Sequence, residues 1–136
     1  MISHREKVEI IRSAIDAWNR GDWDEAFRNT APEFELDNSL TLGEWRGVHK
    51  GANEVKRMWT GFLEPWDSVH IEIDEFVDGG EHVVTRQTAV FRGRDGIEVE
   101  VRTGWCWTFR DASIVRLFAS NELDDALEAA GLSDSR

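Results

Sequence analysis

Several residue types are scarce or absent in this chain of 136 residues, and each absence excludes a class of chemistry. The chain has no tyrosine, which excludes phenol chemistry at any site. Its single cysteine, Cys106, excludes an intramolecular disulfide framework, and no spacing of cysteine and histidine resembles a zinc site. The start of the chain is charged and leads into no apolar stretch long enough for a secretory signal or a spanning helix. We therefore expect a cytoplasmic protein that uses no metal and no cofactor.

Positive charge is also scarce. The 16 Lys and Arg residues against 27 Asp and Glu residues give a net charge of -11, and such a chain repels phosphate backbones and anionic membrane surfaces. We therefore expect neither nucleic acid nor a membrane as a partner. The 40% of hydrophobic residues suffice for a core, but the length is too short for two independent cores. The sequence predicts one domain over residues 1–136.

Helical periodicity dominates the first half of the chain. Ser3 and Glu6 form a capping box, after which apolar residues recur at helical spacing and predict a helix at about 4–20. A short second helix must end before Pro32. Apolar residues three and four apart predict a third helix at about 52–64.

The apolar period changes to two after residue 66, which predicts a meander of four strands. This order is α+β, with the helices segregated onto one face of a mainly antiparallel sheet. Three helices cover only one face, so we expect a homodimer through the other face of the sheet. The predicted strands are a brief one around Phe34 and Leu36, followed by a polar loop at 38–50, and longer ones from 69 to the Gly79-Gly80 turn, at about 82–93, at about 97–109 and at 114 to about 120; a short helix ends the chain at Gly131.

Four segments carry a resemblance to a known family: the run AWNRGDW at 17–23, the strand EFELD at 33–37, Gly51 before the third helix, and the ending ALEAAGL at 126–132. The chain resembles the SnoaL-like polyketide cyclases of the nuclear-transport-factor-2-like superfamily, which also contains the ketosteroid isomerases. The resemblance implies a cone in which a curved sheet wraps the N-terminal helices and encloses an apolar pocket. Members of the superfamily isomerise, cyclise, hydrolyse or dehydrate small molecules, and many only bind them.

The resemblance places Asp37 where the isomerases keep their general-base aspartate. A partly desolvated carboxylate there could abstract a proton beside a carbonyl group, although Asp37-Asn38-Ser39 also reads as a polar turn that leaves a strand. The SnoaL-type cyclases keep an acid near the end of the last strand, where this chain has Asn121. An amide orients a carbonyl group but transfers no proton at neutral pH. Glu122, the next residue, could supply that acid in place of Asn121. Alternatively, Glu122 caps the last helix and the chain has no acid at this position.

The Asp95-Gly96 pair is typical of a two-residue hairpin turn. Counting back from such a turn pairs Arg86 with Trp105, and the resemblance puts Trp105 on the pocket face. Arg86 would then lie in the pocket, along with Thr88 and Thr103, and would need an indole face, the Asp37 carboxylate or an anionic ligand as its partner.

Other candidates for ligand contact are aromatic residues and one loop histidine. His49 precedes the third helix and could overhang the pocket, whereas Cys106 alternates with its neighbours and reads as a packed thiol on the opposite face. The aromatic residues also read as core. The candidate ligand-binding residues are Trp18, Trp59, Phe62, Thr103, Trp105, Trp107 and His49.

Three functions stay open on these residues. The first is an isomerase or cyclase of a small hydrophobic carbonyl compound, in which Asp37 transfers the proton and Arg86 or Asn121 stabilises charge on oxygen. The second is a ligand-binding or dimerisation module with the same pocket and no chemistry. The third is an assembly subunit whose pocket is filled by side chains.

Overall fold

The computed structural model describes residues 2–40 and 46–132, which form an α+β fold of helices packed on a sheet. Among the described residues, no helix is long and apolar enough to cross a membrane. The elements, in chain order, are α1 (His4–Asn19), α2 (Trp23–Ala26), β1 (Thr30–Leu40), β2 (Val48–Lys50), α3 (Ala52–Leu63), β3 (Trp66–Gly79), β4 (His82–Gly93), β5 (Glu98–Arg110), β6 (Ser113–Ser120) and α4 (Leu123–Ala129).

Local signals in the sequence set the ends of α1. The Ser3 hydroxyl accepts the Glu6 backbone N–H, and the Glu6 carboxylate accepts the Ser3 backbone N–H, so the predicted capping box is confirmed. At the other end, the Asn19 amide both donates to the Ile71 carbonyl and accepts the Ile71 N–H, at 2.8 and 2.9 Å. These two bonds fix the end of α1 to β3 and so position one wall of the cavity described below.

The sheet has the strand order β2-β1-β6-β5-β4-β3. Strands β3 to β6 form the predicted antiparallel meander, and β1 pairs antiparallel with β2 but parallel with β6. The mainly antiparallel α+β fold is therefore confirmed. The first strand, predicted as brief, runs over 11 residues, because partners on both sides take up its backbone hydrogen bonds. Residues 41–45 of the predicted loop lie outside the described residues.

The two sides of the sheet have different compositions. We call the side that faces α1 and α3 the inner face; it carries Ile71, Val83, Ala89, Trp105 and Leu117, all in one buried apolar cluster with Ile11, Ile15, Val55 and Met58 of the helices. Because adjacent residues of a strand point to opposite sides, each strand gives its alternate residues to the other side. That side is the outer face.

One end of the outer face lies under α4. Val84 and Cys106 pack there against Ala126 of the helix in a second apolar cluster. Gly104 permits the close approach, since a Cβ atom at this position would lie 2.8 Å from the Cα atom of Leu123. Cys106 thus lies on the predicted face as a packed thiol.

Beyond α4 the outer face is charged, with Arg86 and Arg92 on β4 and Glu98, Glu100 and Arg102 on β5. Most apolar residues of these two long strands point to the inner face instead. The face through which a homodimer is expected is therefore covered by α4 at one end and charged beyond it. The homodimer itself stays a prediction.

Candidate functional site

A cavity of about 250 Å³ lies between the inner face and helices α1 and α3. Its lining is mostly apolar and aromatic, and it includes six residues that the sequence analysis singles out for ligand contact or catalysis. Those six are Trp18, Trp59, Phe62, Thr103, Trp105 and Asn121.

Aromatic rings form one continuous wall of the cavity. Trp18 of α1 meets Trp59 of α3 edge to face, with ring centroids 5.7 Å apart. Trp59 contacts Phe62 in the same way at 5.5 Å, and Phe62 contacts Phe91 of β4 at 5.8 Å. Edge-to-face contacts at these distances are favourable and fix ring orientation. The wall therefore offers a ligand flat apolar surfaces whose positions are set by their neighbours.

Four polar side chains also line the cavity: Asn38, Arg46, Thr103 and Asn121. Pairing of Gly104 with Ser120 puts Thr103 beside Asn121, and Asn38 lies on the next strand, so these three share one region of the wall. The Asn38 side-chain oxygen accepts the Gly47 N–H at 2.7 Å, which holds the amide in place.

The described polar groups of this lining are suited to hydrogen bonding. Among the lining residues that the structure describes, none has a carboxylate, an imidazole or a thiol, which are the usual groups for proton transfer near neutral pH. Amides, a hydroxyl and a guanidinium group instead donate or accept hydrogen bonds. In the described ranges 2–40 and 46–132, no group of His, Cys, Asp and Glu could hold a metal ion.

A chain of hydrogen bonds between buried side chains runs behind the cavity wall. The Trp107 indole N–H donates to the Thr85 hydroxyl at 2.9 Å, the Thr85 hydroxyl donates to the Gln87 side-chain oxygen at 2.7 Å, and the Gln87 amide donates to the Thr103 hydroxyl at 2.6 Å. Thr85 and Gln87 are fully buried. The sequence gives no periodic signal for two such polar residues inside the core, and they were not predicted.

Asp37 does not line this cavity. It lies on the outer face, where its carboxylate is 3.1 Å from Nη2 of Arg116 and also accepts the Ser39 hydroxyl and N–H. The bonds to Ser39 are those of the polar turn that the sequence analysis keeps as an alternative. The neighbouring residue, Asn38, takes the inner position because adjacent strand residues point to opposite faces. The expectation that Asp37 opens onto the pocket is therefore wrong.

Arg86 is also on the outer face, and its predicted pairing with Trp105 is wrong. The hairpin closes with a three-residue loop at 94–96 between Gly93 and Ile97, and Gly96 takes a positive φ of 77°. This loop shifts the register by one residue, so Trp105 pairs with Thr85, and Arg86 pairs with Gly104. A shift of one residue moves side chains to the other face.

Because of this shift, Arg86 has surroundings that differ from those expected. Its guanidinium group lies 3.3 Å from the carboxylate of Glu75, and both side chains are substantially exposed. Thr88, which was expected in the pocket with it, instead donates to Asp74 on the outer face.

Two further candidates lie outside the 250 Å³ cavity. Trp107 lines a smaller one of about 50 Å³ beneath it, together with Trp18, Phe27 and Phe34. His49 is on β2, paired with Leu36, and is not among the residues that line either cavity. Its predicted position above the pocket stays a prediction.

Cys106 is the one cysteine of the chain, and its surroundings argue against a nucleophile. It is 1% exposed beneath α4, and burial raises the pKa of its thiol to about 11. The reactive thiolate is therefore a minor species at neutral pH.

Comparison with protein families decides where this fold belongs. A model of the SnoaL-like domain matches residues 11–117, which is most of the chain. The chain belongs to the SnoaL-like domain family. A comparison with curated proteins found no match.

Solved structures agree with a SnoaL-like domain in their fold. TerC, crystallised with polyporic acid, is 16% identical over 93% of this chain and 98% of its own, with a TM-score of 0.77. A nuclear-transport-factor-2-like protein of unknown function from Burkholderia pseudomallei is 17% identical over 93% and 97%, also at 0.77. A putative polyketide cyclase from Sinorhizobium meliloti is 20% identical over 82% and 94%, at 0.68. At these identities the likeness establishes the fold alone.

Proposed function

We propose that this SnoaL-like domain protein binds a small, largely apolar ring compound in the 250 Å³ cavity. The observation that carries the proposal is the combination of a continuous aromatic wall with one region of neutral polar groups. Binding sites for small molecules are typically concave and mostly apolar, with a few polar groups that fix orientation.

The size of the cavity bounds the ligand. An engineered cavity of roughly 150 Å³, lined only by apolar side chains, binds benzene. A cavity of about 250 Å³ is therefore suited to more than one six-membered ring, such as a fused bicyclic compound. The flat rings of Trp59 and Phe62 offer such a ligand stacking or edge contacts.

The binding function is favoured over proton transfer by Asp37. Proton transfer to a ligand in the cavity would require the Asp37 carboxylate to leave Arg116 and to reach the other face of the sheet, although adjacent strand residues keep to opposite faces. An isomerase or cyclase stays an alternative only if another group supplies the proton transfer. The cytoplasmic location stays a prediction as well.

A titration followed by tryptophan fluorescence tests the proposal. Tetralin, a bicyclic hydrocarbon, should change the emission, because three indoles line the cavity. Ala89 also lines it, so Ala89→Leu should fill part of the space and weaken tetralin binding by at least about tenfold. Val90→Leu, one residue along the same strand on the outer face, is the matched control and should bind as the wild type does.

Circular dichroism verifies that both variants are folded. Equal tetralin affinity in Ala89→Leu and Val90→Leu would show that the cavity is not the binding site. No binding of tetralin to the wild-type protein at saturating concentration would contradict the proposal for this class of ligand.

A further inference from the structure

From the buried hydrogen-bond chain behind the cavity we infer that the Thr103 hydroxyl acts as a hydrogen-bond donor toward the ligand, and that the site selects ring compounds with an acceptor oxygen, such as a ketone. This inference deepens the proposed function and rests on it. The Thr103 hydroxyl becomes a specificity-determining group, with Trp107, Thr85 and Gln87 as positioning residues behind it.

The direction of the chain is set at Trp107. An indole N–H only donates, so the Thr85 hydroxyl must accept at this contact. Its own hydrogen then goes to its other partner, the side-chain oxygen of Gln87 at 2.7 Å. This fixes the orientation of the Gln87 side-chain amide, so that its oxygen faces Thr85 and its NH₂ group faces Thr103.

The reverse orientation is unfavourable. With the Gln87 NH₂ group turned toward Thr85, the Thr85 hydroxyl would accept from two donors and keep a hydrogen with no acceptor. Thr85 is 0% exposed, and a buried polar group left without its hydrogen bond costs roughly 1–3 kcal/mol. The reverse orientation would also make Thr103 a donor to Gln87 and present only lone pairs to a ligand.

The last link points to the cavity. The Gln87 NH₂ group donates to the Thr103 hydroxyl at 2.6 Å, so the hydrogen of that hydroxyl is directed elsewhere. Among the described residues, Gln87 is its one hydrogen-bond partner. Thr103 lines the cavity and is only partly buried, so its hydrogen is available to an acceptor that occupies the cavity.

The geometry also explains why an acceptor is preferred over a donor. A ligand N–H or O–H group placed at Thr103 would take the second lone pair of the hydroxyl, beside the Gln87 amide, and would leave the hydroxyl hydrogen without an acceptor. A ketone oxygen at the same place takes the hydrogen without disturbing the chain. An analogue that lacks the acceptor leaves the Thr103 hydrogen unpaired and should therefore bind more weakly.

Paired titrations with 1-tetralone and tetralin test the inference, since these compounds share a bicyclic skeleton and differ in the ketone. The wild-type protein should bind 1-tetralone about fivefold more tightly, as expected for one added hydrogen bond. Thr103→Val keeps the shape and loses the hydroxyl, so it should remove this preference and leave tetralin affinity within about twofold. Thr103→Ser keeps the hydroxyl and should keep the preference.

A preference for 1-tetralone that survives in Thr103→Val would overturn the inference. If neither compound binds, the proposed function fails for this class of ligand, and a neutron structure of the deuterated protein decides the donor direction without a ligand. Deuterium on the Thr103 oxygen that points into the cavity supports the inference. Deuterium that points at the Gln87 side chain contradicts it.

Discussion

The inner and outer faces of the sheet place their polar side chains in opposite environments. On the inner face, Thr85 and Gln87 are neutral, fully buried and bonded only to other side chains of the protein. On the outer face, Arg86 and Glu75 are charged and remain in contact with water. The two faces alternate along a single strand, β4, so one residue of register separates them.

This difference supports the inner face as the place of the proposed binding site. A buried neutral chain can aim a hydrogen-bond donor at a ligand without the large desolvation cost that a buried charge carries. Exposed ion pairs such as Arg86 with Glu75 contribute little and are screened by salt. The inner face therefore has the preorganised groups, and the outer face is a solvated surface covered at one end by α4.

The largest effect is expected where α4 meets the outer face. Gly104→Ala places a Cβ atom 2.8 Å from the Cα atom of Leu123, which belongs to the backbone and must move. Overpacking of this kind should lower the free energy of unfolding by about 3 kcal/mol. Gly93→Ala is the control, since its Cβ atom meets a Trp66 ring atom at an ordinary 3.6 Å. Urea unfolding measures both, and equal losses would show that α4 does not pack on Gly104.

The next largest loss of unfolding free energy is expected at Thr85 of β4, with Thr88 on the same strand as its control. Thr85→Val leaves the Trp107 indole N–H and the Gln87 side-chain oxygen without their partner, and should cost about 2 kcal/mol of unfolding free energy. Thr88→Val removes an exposed bond to Asp74 on the outer face and should cost less than about 0.5 kcal/mol. Thermal or urea unfolding that gives the two variants the same stability would remove the distinction between the faces.

A smaller effect depends on pH. Burial raises the pKa of the Cys106 thiol to about 11 from its ordinary 9.0, so between these values the unfolded chain loses the proton first. The contribution of the protonated thiol to the free energy of unfolding is therefore fully present below pH 9. As the pH rises above 9 this contribution falls, by about 1 kcal/mol at pH 10. Urea unfolding of Cys106→Ala should show a shallower decline over this range. Parallel curves for the two proteins would mean that the thiol is not desolvated in the fold.

The smallest effect concerns Asp37. Asp37→Asn weakens the contact with Arg116 and should lower the free energy of unfolding by at most about 1 kcal/mol, because Arg116 is partly exposed. Tetralin affinity should not change, since Asp37 is on the outer face. If a substrate is found, unchanged turnover in this variant is expected as well. Abolished turnover with intact binding would restore Asp37 as the base.

Elements with local signals were predictable from the sequence. The Ser3 and Glu6 capping box marks the start of α1, and the change of period after Trp66 marks the strand meander. Both signals depend on residues close in sequence, which is why they survive without knowledge of the tertiary structure. The aromatic wall could be predicted for a similar reason, since Trp59 and Phe62 are three residues apart on one helix face.

Side-chain direction on the sheet was harder to predict. The Asp95-Gly96 pair fits a two-residue turn, but Gly96 closes a three-residue loop, and this one-residue difference exchanges Arg86 for Gln87 on the inner face. The resemblance to a family likewise singles out Asp37 as a candidate base, but it does not predict the face of the sheet to which the Asp37 side chain points. Alternation from buried Leu36 indicates Asn38 as an inner residue. The sequence around Arg46 has no apolar period from which the direction of its side chain could be predicted.

The most direct test of the account is a titration of tetralin into ¹⁵N-labelled protein, followed by the tryptophan indole N–H signals. The indole signals of Trp18, Trp59 and Trp105, which line the cavity, should shift most. Backbone signals of Arg92 and Glu98 on the outer face should stay in place. Shifts confined to the outer face, or none at saturating tetralin, would contradict the claim that the inner cavity is the binding site.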